Sequence, residues 1–192
     1  MSGNLFQYVS NNYINNYDSN GVFLKKIDRK LWEWSTKIMD RISLKFTGRL
    51  MRHSLQDDPK DLHFSSKSNI SKKISKDADF QKAMKSIIST ADSNGNINYN
   101  SLVTGGDGVE FRSDKDLFTS LHLTNISVVG NVNDGMLKVQ LVDYYDYEFE
   151  TNYSGSAFKK LAIVANNVAE VSESMGSINN YFIYIDIIYV IE

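Results

Sequence analysis

The 192-residue chain contains no cysteine, which excludes a disulfide scaffold, a thiol nucleophile and any thiolate metal site. The redox compartment stays open. A cytoplasmic protein and one that crosses membranes unfolded can both do without cysteine. No charge of one sign dominates: 21 Lys and Arg stand against 23 Asp and Glu, and a net charge of −2 gives no global reason to expect nucleic acid as a partner. Long apolar runs are missing too. The longest, Tyr181–Ile191, is interrupted by Asp186, and it falls short of the roughly 18 uncharged residues that a transmembrane segment needs. Met1-Ser2-Gly3-Asn4 is not a basic region followed by an apolar one, so no cleavable signal is expected, and export would imply a signal-less route or a domain cut from a larger chain. Proline occurs once, at Pro59, where it disfavours helix at Asp58.

What is present is an ordinary globular composition, 42% hydrophobic and 12% aromatic, in a chain long enough for one sizeable core. Residues 3–20 are rich in Asn, Tyr and Ser and read as a frayed arm or one that docks by its aromatics. Asp28 is a plausible N-cap for a helix from Arg29 to about Lys45. Leu31, Trp34, Ile38, Ile42 and Lys45 recur every three to four residues, and Trp32, Met39 and Phe46 widen that face, which reads as core. Gly48 should break or bend this helix, and the period continues to Pro59. After a loop over 60–66, Asp77 or Asp79 caps a helix to about Thr90, whose buried stripe is Phe80, Met84, Ile87 and Ile88. Asp92-Ser93-Asn94-Gly95-Asn96 begins like a calcium loop. Ile97 and Val103 stand where that loop needs Gly and Glu, so it reads as an Asn-Gly turn before an extended segment.

From Val109 the period changes to that of strands. Val109-Glu110-Phe111 is short and extended, Asp114 can cap one helical turn, and Leu121–Val129 alternates. Asn133-Asp134-Gly135 predicts a hairpin turn into a strand with Leu137, Val139 and Leu141 on one face. Lys159–Val171 reads as a helix with Leu161, Val164, Ala165 and Val168 inward, Gly176 as a breaker, and Tyr181–Val190 as a central strand. The expected fold is α+β: an N-terminal helical half packed on a C-terminal, mostly antiparallel β-sheet with one inserted helix. It is read as a single domain over 1–192, helical from about 22 to 91 and β-rich from about 96 to 192.

The residues that could carry chemistry close the strand after Leu141: Asp143-Tyr144-Tyr145-Asp146-Tyr147-Glu148. Simple alternation carries Asp143 and Tyr145 inward with Leu137, Val139 and Leu141. Burying an ionised carboxylate costs several kcal/mol unless it is paired, hydrogen-bonded or metal-bound. The strand is therefore expected to end or bulge here, so that the acids line a cleft at its edge. Gathered carboxylates suit general-base work on a water or hydroxyl, or ligation of Mg²⁺ through oxygen. The plainer alternative is a hydrated strand end with tyrosines packed on its neighbour.

Asp143-x-Tyr145-Asp146-Tyr147 resembles the Asp-x-Tyr-Asp-aromatic signature of colicin M-type bacteriocins and of similar polymorphic toxin and effector modules. The surroundings are similar too: a strand after a glycine turn, then a helix, then a final strand opened by Tyr181 after Gly176. The resemblance implies that Asp143, Tyr145 and Asp146 are active-site residues in hydrolysis of the pyrophosphate link of the lipid-bound peptidoglycan precursor. It implies Mg²⁺ or another divalent cation, with Asp143 and Asp146 as its ligands and Tyr145 positioning phosphate. It also implies a lipid-linked substrate at a membrane surface, delivery to the target-cell periplasm, a cytoplasmic location in the producer, and a cognate immunity protein. Colicin M-type enzymes follow the signature with a His-Arg pair. Here Glu150-Thr151-Asn152-Tyr153-Ser154-Gly155 stands instead, so the cation must come from elsewhere: His122, Arg112, His53 or Arg52.

Two other readings belong to different classes. Eleven tyrosines suit a non-enzymatic secreted or surface module that binds a protein partner through a tyrosine-rich face. A membrane-acting toxin would use the Trp32/Trp34 helix, although its interspersed charges favour interfacial binding over insertion.

Overall fold

The computed structural model describes residues 22–145, 172–173 and 176–191. The expected arm at 3–20 and the expected helix at 159–171 lie outside them, as does Asp146. The fold is α+β, with helices preceding a mixed, mostly antiparallel sheet. In chain order come α1 (Val22–Arg41), α2 (Lys45–Ser54), β1 (Leu62–Phe64), α3 (Asn69–Ile74), α4 (Ala78–Ile88) and β2 (Asn96–Asn100). Then follow α5 (Ser101–Thr104), β3 (Val109–Glu110), α6 (Lys115–Ser120), β4 (Leu123–Asn131), β5 (Met136–Tyr145) and β6 (Tyr181–Val190).

Strand order is β1-β6-β5-β4-β2, with β3 paired to the start of β4. Among the described strands, the β1–β6 pair is parallel and the others are antiparallel. The hairpin predicted at Asn133-Asp134-Gly135 is formed by a single 3₁₀ turn over Val132–Asp134, with Gly135 at φ 72° joining β4 to β5. At that left-handed φ a Cβ would be strained. The alternation expected of β5 holds: Leu137, Val139 and Leu141 are buried, while Met136, Lys138 and Gln140 are exposed. β6, as expected, is a central strand, flanked by β1 and β5. Its inward residues Tyr181, Ile183, Ile185, Ile187 and Tyr189 join the same core.

Side chains near helix starts set the boundaries. Asp77 accepts the N–H groups of Asp79 and Phe80 at the start of α4, and Asp114 those of Asp116 and Leu117 at α6. α2 lacks a capping side chain of its own. Asp116 does that work from α6, accepting the N–H of Phe46 at 3.0 Å and of Thr47 at 2.9 Å. A distant carboxylate thereby satisfies orphan donors at a helix start and fixes α2 against α6. The inner face of the sheet buries Phe46 and Leu50 of α2, Ile74 of α3, and Phe80, Met84 and Ile87 of α4. Each such side chain contributes roughly 1.5–3 kcal/mol by leaving water.

Four expectations are corrected. Asp28 does not start α1 but lies inside it, its carboxylate accepting from Ser172 Oγ at 3.1 Å. Of the face read as core, Leu31 and Trp34 point outward, 58% and 61% exposed, while Trp32 and Phe46 are buried as expected, Met39 is partly so, and Thr36 faces inward beside Trp32. Gly48 does not break a helix: α1 ends at Arg41, Ser43 turns at φ 68°, and Gly48 sits within α2. A Cβ there would come within 2.9 Å of Asp40 Oδ1 and 3.2 Å of the Thr36 carbonyl oxygen, so Gly48 lets α2 cross α1 closely. The loop expected at 60–66 contains β1. This strand is too short to show a period, and its stability comes from its pairing with β6 through Leu62↔Ile183 and Phe64↔Ile185.

Candidate active site around Asp143

β5 neither bulges nor ends before Tyr145. Its register with β6 is unbroken from Met136↔Val190 to Tyr145↔Tyr181, contrary to the expected edge cleft. Alternation therefore carries Asp143 and Tyr145 onto the inner face, next to Leu141. Asp143 is half-buried and Tyr145 is 7% exposed. Asp143 lies opposite Ile183, which makes Tyr181 its diagonal neighbour on the same face, at a separation long side chains can bridge. Tyr145 and Tyr181 stack at 5.0 Å between ring centroids.

α2 closes over this end of the sheet. Its Leu50 carbonyl accepts a 2.8 Å hydrogen bond from the Tyr181 hydroxyl. Four residues apart on that helix, Arg49 and His53 project from one side. The Arg49 guanidinium lies 4.7 Å from the centre of the Phe64 ring, and the His53 ring meets Tyr181 edge-on at 4.6 Å. His53 is held at both nitrogens: Nε2 lies 2.7 Å from the Lys60 carbonyl and Nδ1 2.8 Å from the Gln56 amide nitrogen. A carbonyl can only accept, so Nε2 carries the proton and Nδ1 accepts from Gln56.

The electrostatics of the group are visible at Tyr181. Burial pushes its phenol well above the ordinary tyrosine range, Tyr145 and Asp143 push in the same direction, and Arg49 opposes them. Tyr181 is thus a neutral hydroxyl at any working pH, able to donate but not to act as a base. Asp143 and Arg49 bear on one phenol from opposite signs of charge. The single Tyr181 proton is already given to the Leu50 carbonyl, so a water here would be held by the Asp143 carboxylate, and the guanidinium is the group that suits a phosphate oxygen.

Of the cationic partners considered from sequence, only His53 joins this group. Arg52 turns to Asp40, 2.7 Å away at the α1 side. Arg112 pairs with Glu110 at 2.5 Å, and His122 Nε2 stands 3.8 Å from the same carboxylate. The Arg112 guanidinium chiefly holds the Glu110 carboxyl below its usual range. This second cluster is attached to β3, with β4 between it and β5. Arg49 and Tyr181 join the site without standing among the residues that the sequence motif singles out. The i, i+4 pairing of Arg49 with His53 is the sequence signal that bears on the first.

A wide depression of about 510 Å³ lies elsewhere, bordered by Ser65, Ser66, Ser127, Lys138, Gln140 and Asp186. These residues belong to the outer side of the sheet, and Gln140 already satisfies Asp186 at 3.0 Å. Its size does not outweigh the chemistry gathered at Asp143. Among the described residues no group of three or more His, Asp or Glu lies close enough to hold a metal ion. Asp143 alone offers one hard oxygen ligand, and Mg²⁺ commonly takes one or two carboxylates with substrate phosphate and water supplying the rest. Asp146, the other expected ligand, lies outside the described residues. Comparison of the chain with protein-family models, with curated proteins and with solved structures gave no match.

Proposed function

We propose that this chain is an antibacterial toxin or effector domain that hydrolyses a pyrophosphate or phosphodiester bond, with the lipid-linked peptidoglycan precursor as substrate. The supporting observation is the position of Asp143, on the inner face of β5 beside Tyr145 and Tyr181, under the Arg49 and His53 side of α2. Asp143 takes a proton from a water whose oxygen attacks phosphorus. The bond from phosphorus to the bridging oxygen breaks, and the leaving phosphate takes up a proton from solvent. Arg49 offsets negative charge on the phosphoryl oxygens, and Tyr145 holds Tyr181 in place by stacking on it. Asp143 and Asp146 would hold a divalent cation, which when bound polarises the phosphoryl group. A toxin of this kind acts at the periplasmic face of a target cell and calls for an immunity protein in its producer.

Expression directed to a bacterial periplasm and, separately, to the cytoplasm tests this. Lysis confined to the periplasm, with precursor cleavage reduced at least ~100-fold by Asp143→Asn or Asp146→Asn, is the expected result. Undiminished cleavage by a folded Asp143→Asn protein overturns it.

One observation favours a second reading, a module that binds a protein partner. Tyr144, Phe182, Tyr184 and His63 form a row across the outer side of β5, β6 and β1, with successive ring centroids 4.7, 6.1 and 4.5 Å apart. If Tyr144→Ser with Phe182→Ser abolishes the biological effect and Asp143→Asn leaves it intact, this second reading replaces the first.

A further inference from the structure

The outward stripe of α1 is apolar and is bordered by basic residues. At 100° per residue, Ile27, Leu31, Trp34, Ile38 and Ile42 fall within one narrow sector. Ile27, Leu31, Trp34 and Ile42 are exposed, and Ile38 is half-buried. Along one edge of that sector run Lys26, Lys30, Lys37 and Arg41, all exposed, with the exposed Glu33 the one acid among them. None of these four is in an ion pair among the described residues; the helix's other arginine, Arg29, turns away to Asp57 at 2.6 Å. Asp40 is neutralised by Arg52. The helix as a whole carries six basic and three acidic residues, in a protein of net charge −2. Its positive charge is local and lies beside an apolar, tryptophan-bearing surface.

We infer that α1 docks the protein on an anionic lipid surface, lying in the bilayer interface with Leu31 and Trp34 in the acyl boundary and Lys26, Lys30, Lys37 and Arg41 at the headgroups. Charge complementarity decides for a lipid surface. A tryptophan and aliphatic stripe bordered by lysines meets two needs at once there, apolar burial and pairing with lipid phosphates. The opposite side of α1 is already committed, since Trp32 packs with Met51 and Ile178. Among the described residues of α1, the stripe is the apolar side left open for docking. No helix among the described residues is long and apolar enough to span a bilayer, so α1 lies on the surface rather than crossing it. The inference does not depend on the reading of Asp143.

Flotation of the full chain with phosphatidylcholine vesicles, with and without about one-third phosphatidylglycerol, tests it. Binding is expected to the anionic vesicles, to weaken with salt, and to shift the Trp34 emission to the blue. Leu31→Ser with Trp34→Ser should lower the partition coefficient at least ~10-fold. Replacing the four basic residues by Gln should lower it further, by about fivefold for each charge removed. Asp143→Asn should bind vesicles like the parent chain, which separates failure here from failure of the catalytic reading. Equal binding by the Ser variant, or no binding by the parent chain, overturns the inference. So does lipid-free dimerisation that the Ser variant abolishes, which gives the stripe to a second copy. Strong amide-exchange protection of 27–42 in the lipid-free monomer, lost in the Ser variant, gives it to the chain itself.

Discussion

Helices α1 and α4 are both amphipathic, yet the structure uses their apolar stripes in opposite ways. In α4, Phe80, Met84 and Ile87 face the sheet and are buried, as their spacing predicts. In α1, the longer and more regular stripe faces outward, while Trp32 and the small, polar Thr36 face inward. The cause is the crossing with α2. Gly48 approaches the Thr36 carbonyl so closely that even a Cβ would be crowded, and a row of Leu, Trp and Ile could not fit in that space. Thr36 can be buried because its hydroxyl donates to the Glu33 carbonyl at 2.8 Å. Amphipathicity thus says that a face seeks an apolar environment. Which environment it meets depends on the neighbour.

The comparison breaks most sharply at Phe80. It is fully buried and packs edge-on against Tyr189 at 6.1 Å. Phe80→Ala should cost about 3–5 kcal/mol through lost transfer energy and the cavity left behind. Urea unfolding measures this, and a loss below about 1 kcal/mol would mean that α4 is not the core helix described here.

The residues whose places were legible in the sequence obtained them from near neighbours. Asp77 and Asp114 cap helices within three residues, and Leu137, Val139 and Leu141 alternate along one strand. What was not legible depends on distant partners. β1 is three residues long and exists because β6, some 120 residues later, offers it an edge. Arg49 reaches the Asp143 region only because α2 lies across the ends of β5 and β6, held by the Tyr181 to Leu50 hydrogen bond. Asp143 itself was expected at a bulge because burying it looked costly. The strand instead continues straight, leaving Asp143 half-buried on the face of Tyr145 and Tyr181, where Arg49 acts on the same Tyr181 phenol.

A smaller, pH-dependent effect sharpens the case for α4. Asp79 in its first turn accepts the backbone N–H groups of Arg112 and Ser113 at 2.8 and 2.7 Å, tying the helix to the segment after β3. The Arg112 N–H does most to hold this carboxyl below its ordinary 3.8, against the opposing effect of burial. A depressed folded value means the stabilisation is present at neutral pH and is lost as pH falls through about 4 toward that lower value. Acid titration of unfolding should show this loss. Asp79→Asn should be weaker by at most about 1 kcal/mol at neutral pH and converge on the parent chain in acid. If the difference grows as pH falls, the sign is wrong and Asp79 does not fasten α4 in its ionised form.

The smallest effect is expected where a buried stripe would have produced the largest. If Leu31 and Trp34 were core, replacing both by Ser would cost several kcal/mol, as for Phe80. On the exposed side of α1 they leave no cavity and uncover no unsatisfied polar group, so Leu31→Ser with Trp34→Ser should change unfolding stability by no more than about 0.5 kcal/mol. The anchors of α1 are untouched: Trp32 in its cluster, Arg29 on Asp57, and Arg52 on Asp40. A midpoint unchanged in urea, measured on the same variant that loses vesicle binding, would separate a surface that recognises lipid from one that holds the fold. A loss of more than about 2 kcal/mol would place the stripe inside, and α1 would then be a second α4.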